Sequence, residues 1–279
     1  MHVTGDLVGE ISGDVVVAAD GVHSTIRAQL YPNEGAALWN GQTLWRAVAG
    51  APPFLSGATM VVIGHWGHRA VVYPISAAVN GMVLTNVVFE AQTAAGKPMP
   101  RQDWNHAVDR DEVSALFGAM RFDWLDVAAL IETAQQWWQY PMVDRDPLPQ
   151  WTFGRVTLLG DAAHPMYPVG SNGASQAIID ARVLARALAL EPSIEAALAA
   201  YESARRPATQ AVVLANRMVG AEQCMELAEA RAPDGFDRIE DVFAPGELEE
   251  LAAHYKRLAG FDPATLNERP SLSVDPDRL

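Results

Sequence analysis

Cysteine is almost absent from this 279-residue chain, in which Cys224 is the single one. A lone thiol forms no intramolecular disulfide and cannot fill a cysteine-based zinc site, and its scarcity suits a reducing compartment. Basic residues are also few, since 20 Lys and Arg against 34 Asp and Glu give a net charge of −14. Such a surface repels phosphate backbones and anionic lipid. We therefore expect neither a nucleic-acid partner nor a membrane partner.

Long apolar runs are missing too, and none approaches the roughly 18 residues that a membrane span needs. The first six residues lack the basic start and apolar stretch of a signal peptide, so the sequence predicts a cytoplasmic protein. Neither a G-x-S-x-G elbow nor a P-loop occurs, which removes the usual support for a hydrolase or an NTPase. His65 and His68 are three apart on a predicted strand and so face opposite ways, which predicts no metal site.

What the sequence does contain is a pattern of buried strands and helices that is typical of an α/β fold. A Val-rich run at 14–20 and an apolar run at 155–161 predict buried strands, and β-rich runs between Gly41 and Glu90 predict a mixed or antiparallel sheet. Residues 137–143 predict another strand. Helices are predicted over 23–30, 103–120, 123–133, 174–190, 194–205, 209–229 and 245–258, with Pro207 as a break and Ile178, Val183, Leu184 and Leu188 as an apolar stripe.

Two predicted strands end in residues suited to ligand binding, Asp20-Gly21 and Gly160-Asp161. In α/β sheets, ligands bind beyond the carboxyl ends of parallel strands, where a carboxylate can accept hydrogen bonds from ribose or ribityl hydroxyls. A Gly- and Asn-rich turn at 168–173 then precedes a helix, whose N-terminus favours negative charge. A flat anionic edge, such as that of a reduced flavin, would suit this place. For Asp20-Gly21 alone, a simple strand-ending turn is the alternative.

These segments resemble the class A flavin-dependent aromatic monooxygenases, the family of para-hydroxybenzoate and salicylate hydroxylases. Residues 17–27, with Asp20-Gly21, resemble the DG motif of the family, and residues 155–164, with Gly160-Asp161, resemble its GD motif. Within the family, the phenazine-1-carboxylate-type hydroxylases are the most similar, through residues 43–46, 72–76, 139–149 and 166–176. The resemblance covers roughly residues 13–217.

The resemblance implies a Rossmann-like FAD-binding domain with a mixed β-sheet substrate domain inserted into it and helices at the C-terminus. The implied segments are 1–38 with the DG motif, 39–146 for substrate, 147–217 with the GD motif, and a helical tail at 218–279. No G-x-G-x-x-G occurs, although the family opens with one to seat the FAD pyrophosphate. We therefore expect an N-terminally truncated flavoprotein.

By the same resemblance, the protein is expected to use FAD, NAD(P)H and O2, and to hydroxylate a planar aromatic acid through a flavin C4a-hydroperoxide. Decarboxylation during hydroxylation is left open. The alternatives are an inactive fragment, a split subunit completed by a homodimer or a longer gene product, or a flavin reductase that does not hydroxylate. In-frame coding sequence upstream of Met1 would discriminate the first two from a whole enzyme.

Individual roles are carried over from the family to matching positions. The implied cofactor-binding residues are Asp20, Gly21, Arg27, Gly160, Asp161, Pro168, Gly170, Ser171, Asn172 and Gly173. The substrate-side candidates are Trp45, Arg46, Tyr73, His164 and Met166, of which Arg46, Tyr73 and His164 are the catalytic ones. A solvated helix arginine is the alternative for Arg27, a structural salt bridge for Arg46, and a packed strand tyrosine for Tyr73.

Overall fold

The computed structural model describes residues 2–5, 9–65, 67–93, 97, 99, 103, 105–218, 223–268 and 271–274. It divides into two compact units, one formed by Met1–Leu38 with Val143–Leu279 and the other by Trp39–Met142. We refer to these as the discontinuous unit and the inserted unit. The predicted α/β class is confirmed. Within the described residues, no helix is both long and apolar enough to span a bilayer.

Strands dominate the first part of the described chain, and helices dominate the part after β11. The strands are β1 His2–Gly5, β2 Gly9–Ser12, β3 Val16–Ala18, β4 Leu38–Ala51, β5 Val61–His65, β6 His68–Pro74, β7 Val83–Gln92, β8 Ala107–Val108, β9 Trp137–Asp144, β10 Thr152–Phe153 and β11 Val156–Leu158. The helices are α1 Thr25–Leu30, α2 Arg110–Phe117, α3 Val127–Thr133, α4 Gly173–Leu190, α5 Ile194–Arg217, α6 Gln223–Arg231, α7 Glu247–Ala259 and α8 Pro263–Glu268.

The discontinuous unit contains a three-stranded sheet in the order β10-β11-β3, and β1 pairs with β2 in a separate hairpin. β11 and β3 run parallel, with Val156 opposite Val16, and β10 closes the other side of β11 antiparallel. Helices α4 and α5 pack on each other in the same unit. Its core combines residues from the strands, from the segment before β10 and from both helices. These residues are Ala18, Leu148, Trp151, Leu158, Ala163, Leu184, Ala187, Ala197, Leu198 and Tyr201.

The inserted unit is built on a six-stranded sheet in the order β5-β6-β7-β4-β9-β8. The pairs β5–β6, β6–β7, β7–β4 and β9–β8 are antiparallel, in agreement with the predicted β-rich runs. One face of the sheet packs against α2 and α3, and Phe89 and Phe117 stack there with ring centroids 4.4 Å apart. The opposite face carries the alternate residues of each strand.

Two predicted helices of the inserted unit begin later than expected. Asp103 does not start a helix, because its carboxylate accepts a hydrogen bond from the Asn105 backbone N–H before β8 begins. The second helix is capped by Asp126, whose carboxylate accepts from the Ala129 N–H, and not by Asp123. In both cases several aspartates precede a helical run, and only the tertiary position of the run decides which one caps it.

The predicted break at Pro207 is wrong, because α5 continues through it from Ile194 to Arg217. A proline inside a helix removes one backbone hydrogen bond, but α5 buries residues on both sides of it, including Tyr201 and Val212. The predicted segment 209–229 therefore belongs to α5 and α6, and its residues 219–222 lie outside the described residues. The stripe predicted on α4 is also partly wrong, since Ile178 is 66% exposed and the buried positions include Asp180 and Leu184.

Candidate functional site

The two predicted ligand-binding strand ends lie at the same edge of the sheet. Because β3 and β11 are parallel neighbours, both strands end at the same edge of the sheet. Just beyond them, the Leu159 N–H donates to the Ala18 carbonyl oxygen at 2.9 Å. Asp20-Gly21 follows one strand and Gly160-Asp161 follows the other. The two strand ends are therefore brought together within the discontinuous unit, at the edge where α/β sheets bind ligands.

Gly160 and Asp161 form a tight turn that leads from β11 towards α4. Gly160 has φ +61°, and a Cβ there would lie 3.2 Å from the Ala177 Cβ, so both backbone conformation and space require glycine. The Asp161 side chain is exposed and makes no hydrogen bond or ion pair with any described residue. Its Oδ1 lies 3.9 Å from the position that a Cβ on Gly173 would occupy. The turn thus presents a free carboxylate beside the start of α4.

The loop before α4 leaves the N-terminus of this 18-residue helix without a side-chain cap. Asn172 occupies the N-cap position, but its amide makes no capping bond and donates instead to the Tyr255 hydroxyl at 2.5 Å. Gly170 and Ser171 before it have φ +69° and +54°. The first N–H groups of an uncapped helix and the helix dipole together favour a negatively charged ligand. Pro168 and Ser171 are exposed on this loop, and Gly173 is partly exposed.

A buried polar network lies beneath the GD turn and centres on Asp180. The Asp180 carboxylate accepts hydrogen bonds from the Gly160 N–H at 3.2 Å and from the Arg205 Nε at 2.7 Å. It also contacts the His164 Nε2 at 2.5 Å. Burial raises the pKa of Asp180, but the hydrogen bonds and charges of His164 and Arg205 outweigh burial and hold the pKa below its usual range. The network ties the turn to α4 and α5.

The prediction that His164 faces the substrate is wrong. Its side chain is only 3% exposed, pairs with Asp180, and lies against the Trp151 ring with centroids 5.4 Å apart. A side chain that is buried in this way affects a ligand site only by fixing the position of the backbone around it. Met166, two residues further on, is partly exposed and remains available to a ligand.

Arg27 was predicted either to bind the cofactor or to be a solvated helix arginine, and its contacts match neither prediction. Its side chain is 2% exposed, so it is not a solvated helix arginine. It forms a two-pronged ion pair with Glu34 and donates to the carbonyl oxygens of Ala162 and Ala163, each at 3.0 Å, and of Asp146. All its donors are used inside the unit, which leaves none for a cofactor phosphate.

Asp20 is likewise engaged by the protein. Its carboxylate accepts hydrogen bonds from the Ser24 hydroxyl at 2.6 Å and the Thr25 N–H at 2.8 Å, and thereby holds the start of α1. Gly21 adopts φ +80°, and nothing lies within 4 Å of the place where a Cβ would be. Of the two aspartates at this sheet edge, only Asp161 has a carboxylate without a described protein partner.

In the inserted unit, strand alternation separates Trp45 from Arg46. Trp45 points into the core, is 6% exposed, and donates from Nε1 to Glu112 at 2.9 Å, so the prediction that it faces substrate is wrong. Arg46 lies on the opposite face and donates from Nε to the Asn86 Oδ1 at 2.9 Å. It forms no salt bridge with a described carboxylate, so its predicted alternative is also not seen.

Arg46 is joined on that face by two tyrosines. Tyr73 lies directly opposite Asn86 in the β6–β7 register, and Tyr140 on β9 hydrogen-bonds Arg46. Burial raises the pKa of the Tyr140 phenol, and the charge of Arg46 opposes this rise. A guanidinium with a phenol hydrogen-bonded to it is suited to an anionic aromatic ligand. We call Arg46, Tyr73, Asn86 and Tyr140 the polar face of the inserted sheet.

Sequence reasoning missed three contributors to these arrangements. Tyr140 belongs to a predicted strand, but alternation within that strand does not reveal the strand order that brings Tyr140 to Arg46. Asp180 was predicted on the α4 helix without a role. Tyr255 lies 83 residues from its partner Asn172, and no local signal connects the two.

The parallel strand ends, the glycine-rich turn and the uncapped long helix define the discontinuous unit as a nucleotide-binding α/β unit. Comparison with known proteins agrees with this class. The chain belongs to the FAD binding domain family, which matches residues 5–216. The resemblance expected from the sequence is thus confirmed.

Two named relatives of the chain are hydroxylases. It is 44% identical over 205 residues to the phenazine 1,6-dicarboxylic acid hydroxylase PhzS of Lysobacter antibioticus, covering 72% of this chain and 50% of that protein. It is 36% identical to 3-hydroxybenzoate 6-hydroxylase 1 of Aquipseudomonas alcaligenes, covering 70% and 47%. The chain therefore spans about half the length of these curated relatives.

A solved structure shows the same fold. Klebsiella pneumoniae HpxO, complexed with FAD and uric acid, aligns with a TM-score of 0.66 at 24% identity and covers 92% of this chain and 61% of that one. At this identity the likeness concerns the fold alone.

Proposed function

We propose that this protein is an FAD- and NAD(P)H-dependent monooxygenase that hydroxylates a planar aromatic acid. The observation that carries the proposal is the free Asp161 carboxylate beside the uncapped N-terminus of α4. Its family relatives include hydroxylases whose names specify phenazine and benzoate acids. Bound FAD would supply the redox chemistry with NAD(P)H and O2, and the protein would bind, orient and shield the reactants.

The residues at the GD turn fit a flavin cofactor. Asp161 offers acceptors for ribityl hydroxyls, and Gly160 and Gly173 keep side chains out of its way. The backbone at Pro168, Gly170, Ser171, Asn172 and Gly173 would follow the ring system, with the N–H groups of α4 directed to its anionic edge. Gly21 would approach the cofactor through its backbone. The carboxylate of Asp20 and the guanidinium of Arg27 already bind protein groups. We therefore propose that both residues stabilise this edge of the sheet and do not contact the cofactor.

The polar face of the inserted sheet would bind the carboxylate of the aromatic acid. Arg46 would pair with the carboxylate, and the phenol groups of Tyr73 and Tyr140 would orient it. The protein would also exclude water from the bound ring, so that the electrons of NAD(P)H are used for hydroxylation and are not lost in side reactions. Met166, which belongs to the discontinuous unit, would offer an adaptable apolar contact to a ligand at the turn formed by residues 168–173.

Replacing Asp161 by Ala should weaken FAD binding by about ten- to a hundredfold, since hydrogen bonds to a charged group contribute about 1.5–3 kcal/mol. The measurement is a titration of the purified chain with FAD, followed by quenching of flavin fluorescence. Asp234→Ala is the matched control, because Asp234 is an exposed aspartate of the same unit without a described partner. A folded wild-type chain that binds no FAD would overturn the proposed function.

Replacing Arg46 by Met should weaken binding of an aromatic acid to the FAD-loaded protein by about ten- to a hundredfold, through the same loss of a charged hydrogen bond. The change in flavin absorbance on adding the acid reports binding. The variant should leave binding of the corresponding neutral amide nearly unchanged, as should Arg110→Met, a control on an exposed arginine of the same unit. Equal losses for acid and amide would contradict the assignment of Arg46. NAD(P)H oxidation that no aromatic acid stimulates would instead favour a flavin reductase.

A further inference from the structure

We infer that Tyr255, on helix α7, is a positioning residue for the loop that binds the flavin ring. The inference rests on the proposed function, because it assigns a role to a residue behind the proposed cofactor loop. Tyr255 lies beyond residues 5–216, the part of the chain that the FAD binding domain family matches. The family match by itself therefore gives this residue no role.

Three polar groups of the loop and of α5 surround the Tyr255 hydroxyl. It accepts a hydrogen bond from the Asn172 Nδ2 at 2.5 Å, and its single proton is shared between the Asn216 Oδ1 at 2.7 Å and the Val169 carbonyl oxygen at 3.2 Å. Asn172 is 3% exposed and Tyr255 is 8% exposed, so water does not replace these bonds easily. The phenol thus connects both ends of the 169–172 turn to α5.

The ring of Tyr255 also fills the space behind Gly170. A Cβ on Gly170 would come within 2.2 Å of the Tyr255 hydroxyl oxygen and 2.5 Å of two ring carbons. The next residue, Ser171, holds a left-handed backbone at φ +54°, which a non-glycine residue keeps only when its surroundings enforce it. Tyr255 supplies that enforcement on the buried side of the turn.

Helix α7 is itself held in place, so it can act as a fixed support. At its start, Glu247 pairs with Arg231 of α6, which also donates to the Val242 carbonyl oxygen at 3.0 Å. At its end, the Ala259 carbonyl oxygen accepts from the Gln176 Nε2 of α4 at 3.1 Å. The same helix therefore contacts the turn through Tyr255 and the first part of α4 through Ala259. Removing the phenol hydroxyl should loosen the turn while α7 remains docked.

The test compares Tyr255→Phe with Tyr201→Phe in FAD titrations and in urea denaturation of the FAD-free chain. Both changes remove one buried hydroxyl from the same unit, and Tyr201 donates to the Leu158 carbonyl oxygen at 3.0 Å, away from the loop. We expect Tyr255→Phe to raise the Kd for FAD by about three- to tenfold, the effect of losing one hydrogen-bonded group. Tyr201→Phe should lower the urea midpoint and leave the Kd within about twofold.

The visible absorption of the bound flavin is a second readout, since it reports the surroundings of the ring and should shift in Tyr255→Phe alone. An equal rise in Kd for both variants, or no rise for Tyr255→Phe, would overturn the inference. If Tyr255→Phe does not fold, Asn216→Ala removes one partner of the phenol, and an unchanged Kd there would overturn it as well. If the wild-type chain binds FAD and both variants have the same Kd as wild type, this inference is wrong and the proposed function stands. If the folded wild-type chain binds no FAD, the proposed function is wrong.

Discussion

Replacing Arg27 by Ala should lower the free energy of unfolding by about 3–5 kcal/mol, the usual cost of removing one partner from a buried ion pair. The guanidinium has side-chain exposure of only 2%, and its partner Glu34 has 17%. Without it, the carbonyl oxygens of Ala162 and Ala163 lose these donors, and the Glu34 carboxylate keeps the Arg145 Nη1 at 3.2 Å. Urea denaturation followed by circular dichroism measures the change.

The same substitution should also weaken FAD binding, because Ala162 and Ala163 directly follow the Gly160-Asp161 turn. Arg155→Ala is the matched control in the same unit, since Arg155 pairs with Glu195 at the surface and both are about half exposed. Exposed pairs contribute little, so this variant should stay close to wild type in stability and in FAD affinity. If Arg27→Ala is as stable as Arg155→Ala, the structural role assigned to Arg27 is wrong.

Replacing Asp180 by Asn should cost a similar amount at neutral pH, about 3–5 kcal/mol, because Arg205 would then be left as a buried charge without its counter-ion. Asp180 is fully buried and Arg205 is 7% exposed. The amide keeps the size of the side chain, so the loss reports charge and hydrogen bonding rather than a cavity. The N–H of Gly160 would keep an acceptor only if the amide oxygen faces it.

The loss should depend on pH in one direction. The hydrogen bonds and charges of His164 and Arg205 outweigh burial and hold the folded pKa of Asp180 below its unfolded value of about 3.9. The stability that the carboxylate contributes is therefore complete above the unfolded pKa and is lost as pH falls through the folded pKa. The difference in unfolding free energy between wild type and Asp180→Asn should shrink as pH falls below about 4.

Unfolding free energies measured between pH 3 and pH 7 test this dependence. Glu195→Gln is the control, because the pKa of Glu195 is also lowered, by its hydrogen bond to Arg155, although the pair is exposed to solvent. Salt screens that pair, so the control should show little loss at any pH. If the difference in unfolding free energy between wild type and Asp180→Asn does not decrease at acid pH, the buried ion pair does not control stability there.

Local sequence patterns were enough to predict the parts of this protein that depend on neighbouring residues. The apolar runs ending in Asp20-Gly21 and Gly160-Asp161 predicted two strands, which are β3 and β11, and their parallel pairing emerged only in the structure. The β-rich runs of the inserted unit predicted its antiparallel strands. In each case the side-chain period and a turn residue are contained within about ten positions.

The roles of single polar residues depended instead on contacts distant in the chain. Arg27 is buried because its acceptors at Ala162 and Ala163 lie 135 and 136 residues away, and His164 is buried because Asp180 and Trp151 enclose it. The helix α5 passes Pro207 because packing on both sides outweighs one lost hydrogen bond.

By itself, the sequence determined the fold class, the family and the position of the glycine-rich turn, since these are encoded in contiguous motifs. The tertiary structure alone decided which of the conspicuous side chains are exposed and which are buried behind the turn. The physical reason is that a charged or polar group can be buried only where distant residues supply its partners, and those partners are brought together by the fold.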